Sequence, residues 1–145
     1  MDSNLIISCK VGTTDPESAL GLEAWIDDHK FFDSNHVQTT QQISVKMSDD
    51  DAEHELKFVL KNKTPEHTKI DEHGAIVADA RLTISDLTFD EILLAQIFVD
   101  KAMYTHNFNG TGEETHEKFY GEMGCNGTVS LKFTTPMYLW LLENY

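Results

Sequence analysis

Only three prolines interrupt the 145 residues, only two cysteines are present, and 11 lysines and arginines stand against 25 aspartates and glutamates. Each shortage excludes something. Cys9 sits in an apolar run and Cys125 among glycines; two cysteines make no disulfide framework, and no CxxC or Cys/His spacing marks a zinc site. Buried free thiols are the default expectation, with a bridge available if the first and last strands are neighbours. The shortage of basic residues leaves a formal charge of −14. A field of that sign repels phosphate backbones and anionic lipid, so neither nucleic acid nor membrane is an expected partner. It suits cations, neutral ligands such as sugars, or a basic protein surface. No apolar run is long enough to span a bilayer, and the longest, "EILLAQIFV", is broken by Gln96. The start, "MDSNLIISCKVG", lacks the basic residues of a secretory signal, so a soluble protein made without export is expected. Asn-x-Thr triplets at Asn62, Asn109 and Asn126 are then turn chemistry, not glycosylation sites.

What is present is strand pattern. "LGLEAWID" sets Leu20, Leu22, Ala24 and Ile26 opposite Glu23 and Asp27, and "QISVKMS" sets Ile43, Val45 and Met47 opposite Ser44, Lys46 and Ser48. "HELKFVLK" and "TVSLKFT" alternate in the same way, and "ARLTISDLTF" continues it with Leu82 and Ile84. Period-two alternation of this kind marks half-buried antiparallel strands. The first run, "LIISCKV", is apolar nearly throughout and reads as a strand covered on both faces. Acidic or glycine-containing breaks separate the runs, and Asn109-Gly110 and Asn126-Gly127 read as hairpin turns. The expected fold is therefore all-β: one antiparallel β-sandwich domain over residues 1–145, of the jelly-roll type. A chain this long buries about 70% of the surface that it exposes when unfolded, so it needs no metal or disulfide to fold.

The ending "TTPMYLWLLENY" differs. Thr135 before Pro136 resembles an N-cap followed by a first-turn proline, and Met137, Trp140, Leu141 and Tyr138, Leu142, Tyr145 recur at helical spacing. A short C-terminal helix is expected, with a final strand as the alternative. Its apolar residues surround the axis, so it either closes one end of the core or is covered in part by another chain.

No catalytic residue can be singled out. The seven histidines show no ligand spacing, no P-loop, GxGxxG or G-x-S-x-G is present, and nothing activates Cys125. The acidic loops offer more, because calcium takes six to eight hard oxygens. Asp27 and Asp28 fall in one loop and Asp49, Asp50 and Asp51 in another, without an EF-hand pattern; solvated turns are the plainer reading. Pyranose rings pack on aromatic faces, so rings outside the core register are the candidate ligand contacts. These are Trp25, on the polar side of its strand, Phe31 in the next break, and Tyr104 and Tyr120 beside the glycine-rich hairpin.

The segment order over residues 18–94, with Asp27-Asp28, "HELKFVLKN" and "DARLTISDLTF", resembles the jelly-roll carbohydrate-binding modules of the calcium-dependent xylan-binding type. The resemblance implies a non-catalytic sugar-binding module with calcium as its cofactor; it places none of that family's ligands on this chain. The last third, "KFYGEMGCNGTVSLKFTTPMYLWLLENY", is similar to the ends of small proteins from contractile-tailed phages of marine cyanobacteria. That likeness implies synthesis in a host bacterial cytoplasm and, as the alternative function, a virion structural protein that forms oligomeric contacts through its apolar tail.

Overall fold

A computed structural model describes residues 4–15 and 17–144. In chain order its elements are β1 (Asn4–Thr13), β2 (Leu20–Ile26), β3 (His29–Val37), β4 (Gln41–Ser48), β5 (Glu53–Lys61), β6 (Thr68–Ile70), β7 (Ile76–Asp79), β8 (Leu82–Phe89) and β9 (Ile92–Leu93). Then come α1 (Gln96–Lys101), β10 (Met103–His106), β11 (Thr115–Lys118), β12 (Glu122–Met123), β13 (Gly127–Thr134) and α2 (Met137–Asn144). One sheet runs β12-β8-β1-β4, with β9 also on β8; the other runs β11-β10-β13-β5-β2-β3; β6 and β7 form a small separate hairpin. The pairings are antiparallel throughout the described residues.

The predicted alternation builds the core. Leu20, Leu22, Ala24 and Ile26 of β2, Leu56, Phe58 and Leu60 of β5, and Val129, Leu131 and Phe133 of β13 face inward. They meet Leu5, Ile7, Cys9 and Val11 of β1 and Leu82, Ile84, Leu87 and Phe89 of β8. Strand β8 keeps both halves inward by means of a bulge: Asp86 takes φ of 53°, and the register to β1 shifts by one residue there. Cys9 and Cys125 are both free.

Several sequence expectations change, among them the break expected at Phe31, which lies within β3. Strand β1 is not covered on both faces, since Ile6 is 48% exposed on the outer side. Asn126-Gly127 is no hairpin, because β12 and β13 belong to different sheets. The Asn126 amide instead brackets the backbone of Lys63, accepting from its N–H and donating to its carbonyl, each at 2.9 Å. Asn109-Gly110 does turn the β10–β11 hairpin, within a longer loop where both residues have positive φ.

The C-terminal helix forms as expected. Met137, Trp140 and Leu141 are buried, while Tyr138, Leu139 and Leu142 lie 57%, 59% and 77% exposed. Thus α2 closes one end of the sandwich and leaves an apolar outer face. Tyr145 lies outside the described residues. Across the end, Asp49 Oδ1 accepts the Met137 N–H at 3.1 Å, so the β4–β5 turn caps the helix. Thr135, expected as the cap, instead pairs with that same turn, its N–H donating to the Ala52 carbonyl at 2.9 Å. Among the described residues no helix is long and apolar enough to cross a membrane.

Candidate functional site

The outer face of the six-stranded sheet follows from register. Trp25 lies opposite Lys30 on β3 and Lys57 on β5; Lys57 lies opposite Ser130, Ser130 opposite Met103, and Met103 opposite Lys118. One row therefore crosses the sheet as Lys30, Trp25, Lys57, Ser130, Met103, Lys118. At ~4.8 Å between strands it runs about 24 Å. Trp25 is half-buried, and its indole N–H donates to Glu23 at 3.0 Å, which fixes the ring. The ammonium groups of Lys30 and Lys57 each stand 5.7 Å from the ring centroid. Beside this row Lys61 pairs with Glu23 and Asp33; hydrogen bonds from Lys30 and then Lys61 hold the Asp33 carboxyl below the usual range, and those from Lys61 and then Trp25 do the same for Glu23. The arrangement gives a flat aromatic contact between two cations on a stiff surface.

The other candidate aromatics do not join it. Tyr104 faces the core, 4% exposed, and its hydroxyl donates to the Cys125 carbonyl and accepts the Cys125 N–H. Burial pushes that phenol up to about 12. It presents no face to a ligand, because on β10 Met103 and Thr105 are the outward positions. Phe31 sits at a register shift in β3 and packs partly against the core. Tyr120 is 76% exposed and stands beside Thr83 and Ser85 of β8, on the other sheet from Trp25.

The acidic loops do come together, around a histidine. Asp27 turns the β2–β3 hairpin with φ of 51°, its Oδ1 accepting the Glu55 N–H at 2.8 Å. The His54 Nδ1 donates to Asp27 Oδ2 and its Nε2 to Asp50 Oδ1, both at 2.7 Å. With both carboxylates ionised each contact takes a ring proton, so the arrangement favours the imidazolium form. Burial pulls its pKa down, but the hydrogen bonds to Asp27 and Asp50 outweigh that and raise it. The His54 hydrogen bond, in turn, holds Asp50 below the usual carboxylate range. Asp28 and Asp51 remain exposed. These carboxylates do not fit a calcium cage: Asp27 and Asp50 are committed to His54, Asp49 caps α2, and among the described residues no cluster of three or more His, Cys, Asp or Glu is placed to hold a metal. Beside His54 an open groove of about 640 Å³ is lined by Asp27, Glu53, Glu55, Lys132, Phe133 and Trp140.

The sequence reading missed the Lys57, Met103 and Lys118 side of the row. Alternation had already put Lys57 on the outer face, but only pairing shows which residues share a line with Trp25. It also missed the Lys63–Asp79 ion pair, 2.7 Å long with the Lys63 side chain 2% exposed.

Known proteins agree with this fold. The selenomethionine form of vCBM60, described with a circular permutation linking two families of calcium-dependent carbohydrate-binding modules, superimposes with a TM-score of 0.57 at 8% identity, over 89% of this chain and 90% of that one. The complex of vCBM60 with galactobiose gives 0.48 at 9% identity, over 87% and 96%. No family model and no curated protein matches the sequence. At such identities the likeness is one of fold.

Proposed function

We propose that this chain is a non-catalytic carbohydrate-binding module whose ligand lies along the outer face of the six-stranded sheet, across Trp25. The observation that carries the reading is the indole itself: an aromatic ring half open to solvent, fixed by Glu23 and flanked by hydrogen-bonding side chains, is what a pyranose face stacks on. A sandwich shared with a carbohydrate-binding module is consistent with it. No covalent step is assigned. Burial pushes the Cys9 thiol up to about 12 and raises that of Cys125, and both His54 nitrogens are engaged. Calcium is not required in this reading, since three of the five carboxylates expected to hold it, Asp27, Asp49 and Asp50, have other partners.

Calorimetric titration with neutral and acidic oligosaccharides, in calcium and then in chelator, is the test. We expect binding in both buffers, weakened at least tenfold by Trp25→Ala, about 1.4 kcal/mol. Absence of binding to any glycan, or binding indifferent to Trp25→Ala, removes the proposal.

A second reading rests on α2. Tyr138, Leu139 and Leu142 form an exposed apolar helix face, which suits association between copies of this chain, as in a virion component. Sedimentation velocity over a concentration series tests it: a monomer at every concentration refutes it, and Leu142→Lys should dissociate any oligomer.

A further inference from the structure

We infer that the Trp25 face selects sugar chains bearing anionic groups, carboxylate or sulfate, over neutral ones; the inference rests on the proposal that this face is the sugar site. The overall charge hides a local reversal. Of the 11 basic residues, Lys30, Lys57, Lys61, Lys118 and Lys132 all project from this one face. The row through Trp25 carries lysines at three of its six positions and no carboxylate.

Among the described residues four acids share the face, Glu23, Asp33, Glu53 and Glu55, and three of them are engaged by neighbours. Glu23 and Asp33 lie opposite each other in the neighbouring row, both bound to Lys61, and Asp33 also to Lys30. Glu55 accepts the Ser130 hydroxyl at 2.6 Å. The ammonium groups further along are less engaged. Lys57 and Lys118 each reach one carboxylate, Glu55 and Asp100, at 3.9 Å, and Lys132 makes no ion pair among the described residues.

Geometry links those charges to the ring. Lys30 and Lys57 come from the strands on either side of β2, so a sugar stacked on the indole has an ammonium on each flank. A carboxylate or sulfate on such a ring replaces the cation–π contact with a full charge pair, which a lysine makes as a flexible point charge. Lys118 stands at the far end of the row, beyond the exposed Met103. An extended chain of several rings thus meets cations at both ends and an apolar surface between. The distant carboxylates of the protein are screened over roughly 8 Å at physiological ionic strength, so they do not cancel contacts made on the face itself.

The test is calorimetry with the full chain at physiological ionic strength against oligosaccharides of matched length: oligogalacturonate, a sulfated galactan fragment, and neutral galacto- and xylo-oligosaccharides. At least one anionic series should bind ten times or more tighter than the neutral ones. Lys57→Gln and Lys118→Gln should weaken the anionic ligands at least tenfold more than the neutral ones, and Trp25→Ala should weaken all; each variant is checked for an unchanged melting curve. Binding of oligogalacturonate alone names the carboxylate, of the sulfated fragment alone the sulfate, and of both the charge itself. Equal or tighter neutral binding that still depends on Trp25 overturns this inference and leaves the sugar site in place. Anionic binding that survives Trp25→Ala overturns it by moving the site elsewhere. No binding to any of the four ends both.

Discussion

Replacing Trp140 by alanine tests whether the apolar ending belongs to the core. The indole is 7% exposed; it stacks on Phe89 at a centroid distance of 5.9 Å and meets Phe133 edge-on at 6.1 Å, while those two rings meet each other at 4.9 Å. Truncating a buried tryptophan to alanine costs roughly 3–5 kcal/mol through lost transfer energy and a residual cavity. Trp140 also borders the open groove, so water partly refills the space, and the lower end, about 3 kcal/mol, is the expected loss. At roughly 2–4 °C per kcal/mol for a chain near this size, the melting midpoint should fall about 6–12 °C. Trp140→Phe keeps one ring against Phe89 and should lose about half as much. The control is Leu142→Lys on the same helix, 77% exposed, which should change stability by no more than ~0.5 kcal/mol. Urea and thermal melts followed in the far ultraviolet measure all three. If Trp140→Ala loses less than ~1 kcal/mol, or Leu142→Lys loses as much, α2 is not docked by its Trp140 side and the argument fails.

Three further outcomes are expected. Asp79→Asn leaves the Lys63 ammonium almost fully buried without its partner, which should cost about 3 kcal/mol; Lys63→Met in the same chain should restore much of the loss, and a urea midpoint that ignores the single change refutes the pairing. Asp49→Ala removes the carboxylate that caps α2 and should cost about 1 kcal/mol in chemical denaturation, with no loss if water replaces it freely. The His54 bridge gives a pH signature. Its pKa is raised in the fold, so its contribution is complete below the ordinary value of 6.5 and is lost as pH rises through the raised one. The Asp50 side runs the other way, present above the usual carboxylate value and lost as acid protonates it below. Stability should therefore fall as pH rises from 6.5 through the raised value in the native chain, and fall less in His54→Gln; parallel curves would show that the bridge contributes nothing.

Much of the fold was legible because the pleat forces a period of two wherever one face is dry. Strands β2, β4, β5 and β13 show that alternation in sequence and in burial. Strand β8 was legible only in its first half, since the extra residue at Asp86 moves Leu87 and Phe89 out of phase with Leu82 and Ile84 while returning all four to the core. Strand β1 was misread because apolar composition does not reveal what covers it: Ile6 faces out all the same. At the site, Trp25 announced itself by breaking register with Leu22, Ala24 and Ile26. Tyr104 gave no such sign, and its inward parity in the short β10 is set by pairing with Val129 on β13. The acidic turns read as solvated loops or calcium ligands, and nothing in the sequence signalled the histidine that the fold sets between Asp27 and Asp50.

A sandwich offers two outer faces, and likeness of fold does not choose between them. The proposal for the six-stranded sheet rests on the side chains. Along the outer side of β1 and β4 lie Ile6, Ser8, Lys10, Gln42, Ser44 and Lys46, without an aromatic ring among them, and the exposed ring of that sheet, Tyr120, stands at its β12 edge beside β8. On the six-stranded sheet the same outward positions hold Trp25 and five of the lysines. An outward tryptophan contributes nothing to core packing, and its hydrogen bond to Glu23 restricts its motion instead of hiding it. Concentrating nearly half of a scarce charge type on one face also runs against a surface equipped for solubility alone, which would spread its few cations among the acids. Both features favour a ligand that combines a stacking surface with negative charge, and both lie on the face that the extended strand pairing makes longest and stiffest.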